Sequence, residues 1–258
     1  MMTSTLSANK KKRQPIRVWA VLFWLLAWQA LSVYIGHEIL LSSPLSVVNR
    51  LGSLVIEQEF WASILFSFQR IVTGFFLAVL LGVLLAAFAA RFRLIEDLLA
   101  PAILFINGTP VASIIILLLI WVTSQNLSIL ISFLMVLPII YTNILSGIKS
   151  TDVQLLEMAE VFKMPTRRRV IYIYISQVLP FFKSACLVGL GLCWKSGIAA
   201  EIIGIPSGSI GASMHQARIF MATPDLFAWT VTIIVISALF ERMFMFMIAF
   251  ATNRLERL

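Results

Sequence analysis

Ser150-Thr151-Asp152-Val153-Gln154-Leu155-Leu156-Glu157-Met158-Ala159-Glu160-Val161-Phe162-Lys163-Met164-Pro165-Thr166-Arg167-Arg168-Arg169 is a polar island between apolar runs long enough to cross a bilayer. Leu155, Met158, Ala159 and Phe162 recur in it at three- and four-residue spacing, so a helix here carries one apolar stripe flanked by Asp152, Glu157 and Glu160. Thr151 with Gln154 three residues on reads as a capping box, which starts the helix near Asp152. Pro165 ends it, because the residue before a proline is pushed out of the helical region. A helix that merely rests on lipid carries basic residues on its polar face, whereas this one is acidic until Arg167. The pattern favours a short helix, about residues 151–165, that lays its stripe into a groove on another protein.

Around that island the chain reads as membrane. Of 258 residues 60% are apolar and 12% charged, where a soluble domain carries roughly a quarter charged. A hydrocarbon core about 30 Å thick takes about 20 apolar residues per helix. Six spans satisfy this, at roughly 18–36, 60–90, 98–122, 127–148, 170–200 and 226–252. The expected fold is an all-α membrane protein of about six transmembrane helices, with the polar helix between spans four and five. Continuous apolar runs of this length exclude a β-barrel, whose strands would alternate in short segments. Residues 17–258 then form one membrane domain behind a basic tail at 1–16.

The net charge of +8 reflects orientation, not a nucleic-acid partner. Lys10, Lys11, Lys12, Arg13 and Arg17 precede the first span. Arg91 and Arg93 follow the second, the arginines of the island follow the fourth, and Arg254 and Arg257 follow the sixth. Alternating spans put all of these on one side, with Arg50 and Arg218 on the other. By the positive-inside rule both termini and the polar helix are cytoplasmic. Trp61, Trp121 and Trp229 fall at the outer ends of three spans, where an aromatic belt belongs. The first span lacks a small-x-small cleavage site and reads as a retained helix. Cys186 and Cys193 lie seven apart on one helix, about 10 Å along its axis, too far for a disulfide.

The chemistry of an enzyme is missing. Gly189 to Ser196 is the nearest approach to a phosphate-binding loop, and Trp194 stands where the loop needs glycine. The only histidines, His37 and His215, fall in outer loops, and neither a catalytic nor a metal-ligating set assembles on one face. Uphill transport by this chain would therefore draw its energy from a partner.

The island also carries a resemblance. Glu157-Met158-Ala159, the cationic stretch after it, Ile173 and Leu179-Pro180 resemble the EAA loop of ABC importer permeases. Lys163 stands where that family has glycine, and Ile175-Ser176 where it has its first Leu-Pro. Arg70 with Gly74-Phe75, Ala78 and Gly82 is similar to a segment of the nitrate, sulfonate and taurine branch. So are Thr109-Pro110, the run Ala199-Ala200-Glu201 with Gly204, Gly208, Gly211 and Ala217-Arg218, and the closing Arg254 to Arg257. The branch's W-F-G-x-G is replaced by Trp121-Val122-Thr123-Ser124-Gln125. The likeness covers roughly residues 60–258.

It implies a permease subunit of a prokaryotic cell membrane, not an enzyme, working as a homodimer with a second permease copy or as a dimer with a close paralogue. Two cytosolic ABC ATPase subunits would hold ATP and Mg, leaving no cofactor in this chain. The ATPase-coupling residues would be Leu155, Glu157, Met158, Ala159, Phe162, Lys163 and Arg167. An external solute-binding protein would deliver a small solute of the sulfonate, nitrate or taurine kind, or a vitamin-like heterocycle such as a thiamine precursor. A stand-alone channel or secondary transporter, and a non-transporting scaffold, are the rival classes.

A charge at membrane depth wants a partner or water. Lys195 and Glu201, six apart and about 240° around one helix, do not pair with each other. Lys195 is a candidate contact for an anionic solute, with a pair to Glu241 as the structural alternative. Glu201, and Asn107 and Thr109 in the break Asn107-Gly108-Thr109-Pro110, are the other pathway candidates. Arg70, Glu241 and Arg242 are candidates for structural ion pairs.

Overall fold

A computed structural model describes residues 18–255, which are helical throughout with short connections. The tail at 1–16, Arg17 and Arg257 lie outside the described residues. In chain order the helices are α1 (Val18–Ile35), α2 (Pro44–Leu54), α3 (Gln58–Arg91), α4 (Arg93–Gly108), α5 (Val111–Leu118) and α6 (Ser124–Lys149). Then come α7 (Val153–Val161), α8 (Thr166–Arg169) running through a π-helical turn (Val170–Tyr174) into α9 (Ile175–Gly204), α10 (Ile210–Ile219) and α11 (Thr223–Leu255).

Five continuous stretches are long and apolar enough to span: Val18–Ile35, Gln58–Arg91, Ser124–Lys149, Thr166–Gly204 and Thr223–Phe250. The third expected span is broken. Gly108 and Val111 bound a bend of 105° between α4 and α5. Its cause is local: Thr109 is extended, with φ −92° and ψ 132°, as a residue before proline prefers. Pro138 leaves α6 unbroken.

Between lipid tails, helices gain little from burying apolar surface against each other, so close contact through small residues does the work. The centre of this bundle is built that way from α3, α6 and α9. A Cβ on Gly74 of α3 would lie 2.4 Å from the Ile129 carbonyl oxygen of α6. One on Gly197 of α9 would lie 2.6 Å from Ile71 Cγ1 and 2.7 Å from Ser132 Oγ. Those distances let the backbones approach until Phe75, Ile71, Ile140 and Leu190 are fully enclosed. α11 joins through aromatic edges, Phe240 and Phe244 meeting Phe75 at 6.3 and 5.2 Å between ring centres. α1 is peripheral. Trp28 holds it, donating to the Ser42 carbonyl at 3.0 Å and stacking on Phe227.

Several local expectations are corrected. Asp152, not Thr151, caps α7: its carboxylate accepts the Gln154 N–H at 2.9 Å, while Thr151 is buried and donates to Gly147 O. Trp229 is no belt residue, since it is buried against Phe60 with ring centres 4.9 Å apart; Trp61 and Trp121 are exposed as expected. The connections at the end of the bundle opposite α7 hold two helices, α2 and α10, and His215, expected in a loop, lies on α10. Both cysteines are buried and free.

Candidate functional site

α7 is a short foot fixed at both ends. Asp152 caps its start, and at its end Met164 N–H reaches back to Ala159 O at 2.8 Å and Lys163 N–H to Glu160 O at 2.9 Å. That pair of bonds is the Schellman closure, which needs a left-handed residue between them. Lys163 supplies it with φ 50°. The position where the resembled family carries glycine is thus the one where the backbone asks for glycine, and lysine adopts the same geometry.

The expected stripe divides in two. Ala159 is fully buried and Leu155 half-buried. Met158 and Phe162 point outward with Val161, at 46, 75 and 78% exposure, beside exposed Glu157 and Lys163. Val161 had not been singled out; the four-residue spacing that tied Phe162 to Met158 hides a neighbour one residue away. Arg167 is exposed on the far side of Pro165. Above the foot, Lys149 Nζ bonds both Glu96 oxygens at 2.6 Å, tying α6 to α4.

The charges at membrane depth separate into different environments. Arg70 donates to the Gln125 carbonyl at 2.5 Å and to Gln125 Oε1 at 3.2 Å, with its guanidinium 3.6 Å above the Phe66 ring. Its partners are thus an amide and an aromatic face. Glu201 is fully buried. Its Oε2 accepts from Ser67 Oγ at 2.7 Å and from Gly211 N–H at 3.2 Å, while its Oε1 and nearby Ser128 Oγ have no hydrogen-bond partner. Lys195, six residues earlier, is exposed and lines a cavity of about 340 Å³ between α9 and α11, together with Trp194, Ser237 and Glu241. The buried indole N–H of Trp194 has no acceptor. Arg242 is exposed on α11, and Asn107 and Thr109 flank the 105° bend.

On the opposite end, α2, α3, α10 and α11 surround a polar cavity of about 310 Å³. Arg50 of α2 makes a paired contact with the Asp225 carboxylate in its wall, through Nε to Oδ1 and Nη2 to Oδ2. The hydrogen bond to Asp225 raises the Arg50 pKa against the opposing effect of burial. Sequence reading missed this pair because 175 positions separate its members.

The family model described as binding-protein-dependent transport system inner membrane component matches residues 78–256. A Bacillus subtilis (strain 168) protein named for aliphatic sulfonates transport, SsuC, is 25% identical over 215 residues, covering 82% of this chain and 77% of that protein. The taurine transport system permease protein TauC of Escherichia coli (strain K12) is 24% identical over 220 residues, covering 83% and 80%. A crystal structure of an amino acid ABC transporter with histidines aligns over 73% of this chain and 94% of that one, with TM-score 0.51 and 21% identity, which bears on the fold alone.

Proposed function

Because this chain belongs to the family of binding-protein-dependent transport system inner membrane components, we propose that it is the membrane-spanning subunit of an ATP-driven ABC importer for a small sulfonate-type anion. The observation that carries the reading is the α7 foot: exposed Met158, Val161 and Phe162 on a helix whose other face carries the fully buried Ala159. An exposed apolar knob beside Glu157 suits a groove on a cytosolic ATPase, with hot-spot contacts in its centre. Two copies of this chain pair with two such ATPases, which hold ATP and Mg. Domain 17–258 supplies the pathway, the basic tail 1–16 and both termini lie in the cytoplasm, and an external binding protein delivers the solute to the α2 and α10 side.

Mechanically, ATP-driven closure of the ATPases moves the foot, and the foot moves α6 and α9, between which it is spliced. A lever transmits displacement only if it is stiff at both ends. Here the Asp152 cap and the Lys163 closure provide that stiffness. The solute chemistry rests on the cavity that Lys195 lines, where its ammonium is a donor to an anion. It rests also on the names of the sulfonate and taurine relatives.

The test is uptake into proteoliposomes holding the chain with its ATPases, fed by sulfonate-loaded binding protein. Uptake that needs ATP and falls with Lys195→Ala supports the reading. Uptake by the chain alone, without ATPase, would make it a stand-alone channel or secondary transporter.

A further inference from the structure

An apolar groove of about 500 Å³ runs along the bundle between α3, α6 and the start of the fifth span. On α3 its wall is Val79, Leu80, Val83, Leu84 and Ala87, about 12 Å of helix. On the other wall it begins at the π-helical turn, with Val170 and Tyr174, and climbs to Phe182, about 18 Å. Those lengths match one leaflet of a hydrocarbon core about 30 Å thick.

Both walls continue into arginine at the same end. Arg91 lies four residues beyond Ala87 on α3, and Arg167 three residues before Val170 on the helix that becomes α9. Three- and four-residue steps keep a residue on the same helix face, so each arginine caps one wall of the groove. Both are exposed, and among the described residues neither is in an ion pair. Two guanidinium groups that, among the described residues, lack an ion-pair partner therefore stand at the mouth of a channel that only hydrocarbon can fill.

From this we infer that the groove is a binding site for one anionic phospholipid, an acyl chain between α3 and α9 and the phosphate between Arg91 and Arg167. Apolar channel and cationic mouth together specify an amphiphile with a negative head. A second copy of this chain is a poorer occupant. Its loosely packed α1 is apolar enough to fill the groove but contains no carboxylate for the arginines. On the proposed orientation the site lies in the cytoplasmic leaflet, beside the foot. The π-helical turn gives it width, because the Ile175 N–H reaches back five residues to Val170 O and sets Val170 and Tyr174 apart in the wall.

The experiment is native mass spectrometry of the full chain, extracted from nanodiscs of phosphatidylcholine mixed with phosphatidylglycerol. Wild type is expected to retain phosphatidylglycerol in preference to phosphatidylcholine. Arg91→Ala and Arg167→Ala should each weaken retention roughly fivefold, and both together about 30-fold, as befits surface cations near an anionic head. Arg168→Ala, about 100° around the helix from Arg167, should have little effect. Val83→Trp should expel the lipid with every charge intact. Equal retention of both lipids would overturn the inference, and so would an Arg168→Ala loss as large as that at Arg167. A Leu84→Cys disulfide trapping a second copy in the groove would overturn it in favour of a subunit contact.

Discussion

Glu201 and Gly211, ten residues apart, are joined by a hydrogen bond of 3.2 Å from the Gly211 N–H to carboxylate Oε2. The same oxygen accepts from Ser67 Oγ of α3, which itself accepts the Ile210 N–H at 3.0 Å. Ser209 Oγ takes the Ala212 N–H at 3.0 Å. The first-turn donors of α10, which no helix can satisfy internally, are thus met by two membrane spans and one local cap. α10 is pinned to the bundle's core at its N-terminus, where a carboxylate also complements the helix dipole. If the outer face receives the binding protein, this is the joint through which it feels the membrane domain.

Gly211→Ala should therefore loosen α10. Its new Cβ would lie 2.3 Å from Glu201 Cβ and 2.5 Å from the Glu201 carbonyl carbon, so no side-chain rotation relieves it. Overpacking of this kind costs about 1–3 kcal/mol. Glu201→Ala, which strands the Ser67 and Gly211 donors, should cost about 1–3 kcal/mol as well. Thermal unfolding in detergent should show both variants melting below wild type. A Gly211→Ala protein that melts with wild type would contradict the pinned arrangement.

Lys163→Gly should stabilise the isolated chain. A non-glycine residue in the left-handed region gives up about 1 kcal/mol, and Lys163 sits there with φ 50°. Lys163→Val should move the melting temperature the other way, since a branched Cβ suits that region still less. The two variants need to be compared without ATPase present, because Lys163 also borders the exposed knob.

Asp152→Ala should raise the exchange rate of the Gln154 amide roughly fivefold, the equivalent of a lost N-cap of about 1 kcal/mol. Thr151→Ala should leave that amide unchanged, because the Thr151 hydroxyl is spent on Gly147 O. The opposite ranking would restore the capping box that the sequence suggested.

Much of the fold was legible, and what was missed has physical causes. Spans and polar helix were readable because bilayer thickness and helical periodicity act on contiguous residues. α2 and α10 were not, although Ser43 before Pro44 and Ser209 before Ile210 are good caps whose hydroxyls do accept from Ser46 and Ala212. Short helices among glycines and prolines resemble turns until their caps are taken seriously. Periodicity says which residues share a face but not which of them are enclosed: Ala159 is buried while Met158 and Phe162 are exposed. The bond that Glu201 accepts from the Gly211 N–H was not legible, because that donor has no side chain to announce itself.

The Arg50–Asp225 contact offers a separate check. Both side chains are partly exposed, at 35 and 24%, so a double-mutant cycle of Arg50→Ala and Asp225→Ala should give a coupling of about 0.5–1 kcal/mol. The Arg50 pKa is raised in the folded state, so its stabilisation is complete below the ordinary arginine value and lost only as pH rises through the raised one. Arg50 titration should accordingly make no contribution to any change in stability across the neutral range. A coupling of zero at low salt would show that the pair is not formed in solution.

The central claim is that α7 couples this chain to an ATPase, and one binding measurement addresses it directly. The full chain in nanodiscs is titrated with its cognate ATPase, comparing wild type with Phe162→Asp. Burying a charge in the groove and losing an apolar anchor should weaken the complex at least 30-fold, about 2 kcal/mol as for an interface hot spot. The melting temperature of the isolated chain should not change, since Phe162 is 75% exposed. ATPase binding that is undiminished by Phe162→Asp would contradict the coupling role of α7.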